Sequence, residues 1–177
     1  MSSSTNTFDI LVVIDADAFV ENYTSQGKVG TYDAPVKISS ADEQNKIYML
    51  TQYASSLKGQ ATAELDLTVK LQDNIRWRGV TISKGFDKEI ILYNPVMLKQ
   101  NTTGEISGIT NTTPYAPLPL FNKEAPGKPI AQQVRYNLWS AIATKRGHVV
   151  YTLSFMLVDS DNQVLGYFTW DPYIEVA

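Results

Sequence analysis

Residues 61–71 read Ala61-Thr62-Ala63-Glu64-Leu65-Asp66-Leu67-Thr68-Val69-Lys70-Leu71, and this stretch decides the fold class. Ala61, Ala63, Leu65, Leu67, Val69 and Leu71 fall on one side of a period of two. Thr62, Glu64, Asp66, Thr68 and Lys70 fall on the other. Side chains of a strand point alternately to its two faces, so the stretch predicts a half-buried β-strand. After Asp73-Asn74 the alternation resumes, with Ile75 and Trp77 against Arg76 and Arg78. Gly79 interrupts it before Val80 and Ile82, which predicts a bulge or bend.

The same period recurs near the C-terminus. Val149, Tyr151, Leu153, Phe155 and Leu157 alternate with Val150, Thr152, Ser154, Met156 and Val158. Asp159-Ser160-Asp161-Asn162 supplies turn chemistry, and Val164, Gly166, Phe168 and Trp170 continue on a return strand, so 149–170 predicts a β-hairpin. Further strands are expected over 8–15, 46–53 and 89–94. Segment 131–146 fits both a helical face and strand spacing; its strand-like neighbours favour a strand. The polar connections are 21–34, 39–45 and a Thr/Asn/Pro-rich stretch over 99–129. At that length 99–129 is a functional loop or an extended arm. Many short strands between Pro, Gly and Asn turns predict an all-β fold. The expected form is an antiparallel β-sandwich of one domain over 1–177, with room for one short helix and a flexible N-terminus over 1–7.

Composition narrows the function. The 177 residues are 44% hydrophobic and 19% charged, with 15 basic against 18 acidic side chains. So even a balance argues against a nucleic-acid partner, which calls for a basic face. Cys is absent and His148 is the lone histidine, which excludes disulfides, thiolate catalysis and Cys/His metal centres. No signal peptide is visible, and the longest apolar run, 10–14, falls far short of the ~20 residues of a membrane helix. A cytoplasmic protein without a membrane partner is expected. The sequons at Asn22, Asn101 and Asn111 then read as accidents of composition.

The candidate chemistry is sparse. A strand ending in Asp15-Ala16-Asp17 resembles the first motif of haloacid-dehalogenase-type phosphatases, but no succession of βα units follows. A turn-forming role for Asp15 is the better reading. Asp15, Asp17, Asp159 and Asp161 are oxygen donors of the kind calcium takes, without the loop spacing that identifies a calcium site. The stretch 67–77 resembles the early strands of cupredoxin sandwiches, whose copper ligands this chain lacks. Trp77, Trp139 and Trp170 offer faces on which a sugar ring stacks, with Arg76, Arg78 and Asp171 as hydrogen-bonding neighbours, although Trp at inward strand positions ordinarily belongs to the core. Asp15, Asp17, Arg76, Trp77, Arg78, Trp170 and Asp171 are therefore the candidate ligand-binding residues, for a carbohydrate above all. No catalytic residue, metal site or cofactor is expected.

Several segments occur together in a familiar order. They are 9–15 (Asp-Ile-Leu-Val-Val-Ile-Asp), 47–49 (Ile-Tyr-Met), 59–65 (Gly-Gln-Ala-Thr-Ala-Glu-Leu), 73–78 (Asp-Asn-Ile-Arg-Trp-Arg) and 91–93 (Ile-Leu-Tyr). The most distinctive is the ending 166–174, Gly-Tyr-Phe-Thr-Trp-Asp-Pro-Tyr-Ile. Together they resemble the bacterial PixA/AidA inclusion body protein family over nearly the whole chain. The resemblance implies a cytoplasmic protein linked to stationary phase, quorum-sensing control or host-associated growth, some members forming crystalline inclusions. It implies no reaction and no catalytic residues. With four Met, the chain departs from the methionine-rich members. A non-enzymatic homo-oligomer is the resulting expectation, with Tyr173 and Ile174 as candidates for the contact between copies. Pro172 is expected to end regular pairing or to confine this segment to a sheet edge.

Overall fold

The computed structural model describes residues 5–43, 45–52, 56–98 and 104–177. Residues 1–4 of the expected flexible N-terminus, Tyr53 and residues 99–103, with the Asn101 sequon, lie outside these. The first half contains β1 (Thr7–Ile14), α1 (Ala16–Asn22), β2 (Val36–Lys37), α2 (Ser40–Glu43), β3 (Ile47–Leu50), β4 (Ser56–Lys58), β5 (Asp66–Val69) and β6 (Asn74–Thr81). Then follow β7 (Lys88–Met97), β8 (Thr110–Thr112), β9 (Tyr115–Leu120), β10 (Ile130–Arg135) and β11 (Leu138–Ile142). The chain ends with β12 (Gly147–Asp159), β13 (Val164–Trp170) and β14 (Tyr173–Val176).

Two sheets sandwich one core. The first has the order β3-β1-β6-β11-β8; the second runs β2-β13-β12-β14-β5-β4, with β7 also on β12. Ile10, Val12, Ile14, Ile75 and Trp77 of the first sheet meet Tyr151, Leu153, Phe155, Phe168, Trp170 and Ile174 of the second in one buried cluster. Alternation dictates this: Ile75 and Trp77 turn inward while Arg76 and Arg78 turn outward. The all-β prediction holds, but the sheets are mixed. β1 pairs β6 in parallel, as β13 pairs β2 and β14 pairs β5.

Several local expectations change. The strand expected over 61–71 is trimmed to β5, because Ala61 sits at φ 62° and Leu71 reaches solvent. No bulge occurs at Gly79, which pairs with Val12 in unbroken register. A Cβ there would lie 2.8 Å from both Ile90 Cδ1 and Leu92 Cγ, so the glycine admits β7 close to β6. Helix α1 fills the gap between the strand expected over 8–15 and the polar connection expected over 21–34. It forms because Asp15 caps it, its Oδ1 accepting from Ala18 N at 3.1 Å, while Phe19 packs against Phe155 and Phe168. With α2, two short helices stand where one was expected. Pro172 does separate β13 from β14, but β14 lies between β12 and β5 and not at an edge. Segment 131–146 is strand, as β10 and β11.

The expected loop 99–129 is largely built. It contains β8 and β9, and β9 pairs with β10 in a two-stranded sheet of its own. β8 leads into β9, and β10 into β11, so this pair is an arm hung from the β8–β11 end of the first sheet. Pro117 and Pro119 obscured the strand by their identity. They pair opposite Gln133 and Ala131, two positions apart and out of phase with Pro114, whose carbonyl accepts from Tyr136 N. Their missing N–H groups therefore face away from β10, where a strand tolerates proline.

Candidate functional site

The outer face of the first sheet and the arm enclose the most distinctive surface. On β1 and β6 the parallel register sets Asp9 beside Arg76 and Leu11 beside Arg78. Arg76 donates two hydrogen bonds to Asp9, from Nε to Oδ1 at 2.9 Å and from an Nη to Oδ2 at 2.7 Å. That bidentate pair neutralises Arg76. Arg78 differs: its Nε is buried, and no hydrogen bond or ion pair engages the guanidinium among the described residues.

Two clefts of about 360 Å³ each meet at Arg78 and Tyr136. In one, Asp9 and Arg76 face Pro114, Tyr115 and Leu138. In the other, Leu11, Ile90 and Leu92 face Leu118 and Val134 of the arm, with Lys84, Glu89 and Arg135 at the margins. Arg135 lies 4.6 Å above the Tyr115 ring, a cation–π contact that holds its charge against the arm. Glu89 Oε1 accepts from Thr81 N and Ile90 N, both at 2.9 Å. Desolvation holds its carboxyl above the usual range despite those bonds.

The other predicted residues scatter. Trp77 and Trp170 are each 1% exposed, so neither offers a face to a sugar; the alternation that aligns them aims both into the core. Trp77 Nε1 donates to the Tyr151 hydroxyl, whereas Trp170 Nε1 has no partner among the described residues. Trp139, only partly buried, donates to Leu92 O. Asp15 is the cap of α1, and exposed Asp17 accepts from Lys88 Nζ at 2.8 Å, which holds that ammonium above its usual range. Both lie at the end of β1 remote from Arg76, about 20 Å along the strand from Asp9. Asp171, in the connection between β13 and β14, pairs with Lys37 at 3.2 Å. Asp159 Oδ1 accepts from Asp161 N and Gln163 N and so serves its own turn. Among the described residues no three carboxylates or imidazoles gather where they would hold a metal ion.

Of the two candidates for contact between copies, Ile174 is fully buried against the chain's own core and is unavailable. Tyr173 is half-buried beside His148, their rings 5.3 Å apart. Asp9, Leu118, Val134, Arg135 and Tyr136, absent from the sequence-based set, surround Arg78. Asp9 falls within the strand expected over 8–15 and Val134, Arg135 and Tyr136 within 131–146, while the alternation that would mark Leu118 is disguised by Pro117 and Pro119.

Comparisons with known proteins agree with the architecture. A family model described as PixA, inclusion body protein, matches residues 6–176. The crystal structure of an inclusion body protein (PixA) from Burkholderia cenocepacia superposes with a TM-score of 0.81 at 19% identity. It covers 100% of this chain and 99% of its own. The solution structure of amebosin aligns over 81% of this chain and 100% of its own, at 14% identity and a TM-score of only 0.28, too low to bear on the fold. No curated protein matches the sequence. The match over nearly the full length places the chain in the PixA inclusion body protein family.

Proposed function

We propose that this chain is a non-enzymatic protein that assembles with copies of itself through the free edge of β10, in the bacterial cytoplasm during stationary-phase, quorum-controlled or host-associated growth. The carrying observation is the unequal protection of the strand edges. Pro117 and Pro119 blunt the outer edge of β9, a device that discourages pairing between chains. β10 has no proline over its six residues, and the backbone groups of Ala131 and Gln133, opposite those prolines, and of Arg135, opposite Tyr115, face outward.

The edges of β7 and β3 are covered. Leu92 O on β7 accepts from Asn137 Nδ2 and Trp139 Nε1, both at 2.9 Å. On β3, Met49 N donates to Thr62 O and Met49 O accepts from Ala61 N. The arm also carries exposed apolar groups: Phe121 is 74% and Ile130 51% exposed, with Leu120 paired to Ile130. A β10–β10 contact about a two-fold axis completes both strands and covers these side chains. The non-enzymatic reading is supported by the family match over residues 6–176, to a family described as inclusion body proteins.

The test is Gln133→Pro, which removes an outward donor without touching the β9–β10 ladder. Sedimentation should shift toward the monomer while circular dichroism stays as in the unmodified chain. Unchanged assembly in the folded variant would overturn the reading.

A further inference from the structure

We infer that the paired clefts beneath the arm bind a small amphipathic carboxylate, with Arg78 holding the carboxylate and the Leu11–Leu92–Leu118–Val134 walls holding an apolar body. A buried polar group without a partner is uncommon and costly, and a charged one more so. Arg78 Nε is such a group, and the Arg78 residue lines both clefts where they join. The neighbouring charges leave it free. Asp9 is spent on Arg76, Glu89 is turned to two backbone amides, and Arg135 lies over Tyr115. Lys84 at the margin adds a second positive charge.

A planar guanidinium offers parallel donors that match the two oxygens of a carboxylate. One such fork in mainly apolar walls suits a singly charged headgroup with a hydrocarbon body. A phosphate, which requires more donors, suits it less. The contact is independent of assembly, because every lining residue belongs to one chain.

The probe is octanoate, titrated into the full chain and followed by amide chemical shifts and calorimetry, with octanol as the uncharged counterpart. Octanoate should bind saturably, shifting amides of β6, β9 and β10. Octanol should bind at least tenfold more weakly. Arg78→Gln should weaken octanoate at least tenfold, and Arg78→Lys by less. Lys37→Ala, on the other sheet, should leave binding unchanged. Absence of saturable octanoate binding, equal binding of octanol, or Arg78→Gln affinity within twofold of the unmodified chain would each overturn the inference. The comparison of octanol with octanoate needs no variant and decides even if Arg78→Gln fails to fold.

Discussion

The indole Nε1 of Trp77 donates to the Tyr151 hydroxyl at 2.9 Å, and the two rings meet edge to face at 5.6 Å. This bond joins β6 of one sheet to β12 of the other in the centre of the core. Each partner is the other's means of burying a polar atom. Tyr151→Phe should therefore cost about 1–3 kcal/mol, by leaving the indole donor unpaired. Trp77→Phe should cost more, since it adds a cavity. A double-mutant cycle in urea should return a coupling of about 1 kcal/mol.

Burial raises the Tyr151 phenol well above its usual 10.0, so above that pH the unfolded chain ionises first. The folded state then holds more protons, and stability falls as pH rises. Tyr93, pushed up to about 12 by burial and by Tyr167, Tyr32 and Asp33, adds to the same alkaline loss. Thermal melts above pH 10 should decline less steeply for Tyr151→Phe than for the unmodified chain.

Glu89 behaves in the same sense at the acid end. Its folded carboxyl is raised above 4.5 by desolvation, so the native state binds the proton more tightly. Stability attributable to this group is greatest below that pH and lost as pH climbs through the raised value. Glu89→Gln keeps an oxygen for Thr81 N and Ile90 N and abolishes the titration. Its stability profile should be flatter than that of the unmodified chain across the same window, measured by urea midpoints.

Gly79→Ala should destabilise by about 1–3 kcal/mol, because the new methyl enters the space of buried Ile90 and Leu92. The entropy gained by restricting the unfolded chain, about 0.4–1 kcal/mol, is too small to offset this. The urea midpoint should fall with an unchanged slope.

Patterning exposed most of the sandwich and little of the site. Alternation announces β6, β12 and β13, since β6, β13 and the first half of β12 have one face buried and a period of two is visible without knowing the partner strand. It failed at β9, where Pro117 and Pro119 resemble loop chemistry unless the strand is known to be an edge. It failed at α1, where Asp15 has the same identity as turn former and as helix cap. The tryptophans were placed on the correct register, and that register buries them. The isolation of Arg78 depends on Arg76 capturing Asp9, 67 positions away, and on the arm bringing Tyr136 and Leu118 alongside. Neither relation leaves a periodic trace.

The central claim, assembly of the chain with copies of itself, is tested most directly by sedimentation equilibrium of the unmodified chain over increasing concentration. A mass rising from 19.7 kDa to at least twice that value is the predicted result. A mass that holds at 19.7 kDa to the highest soluble concentration would contradict the account.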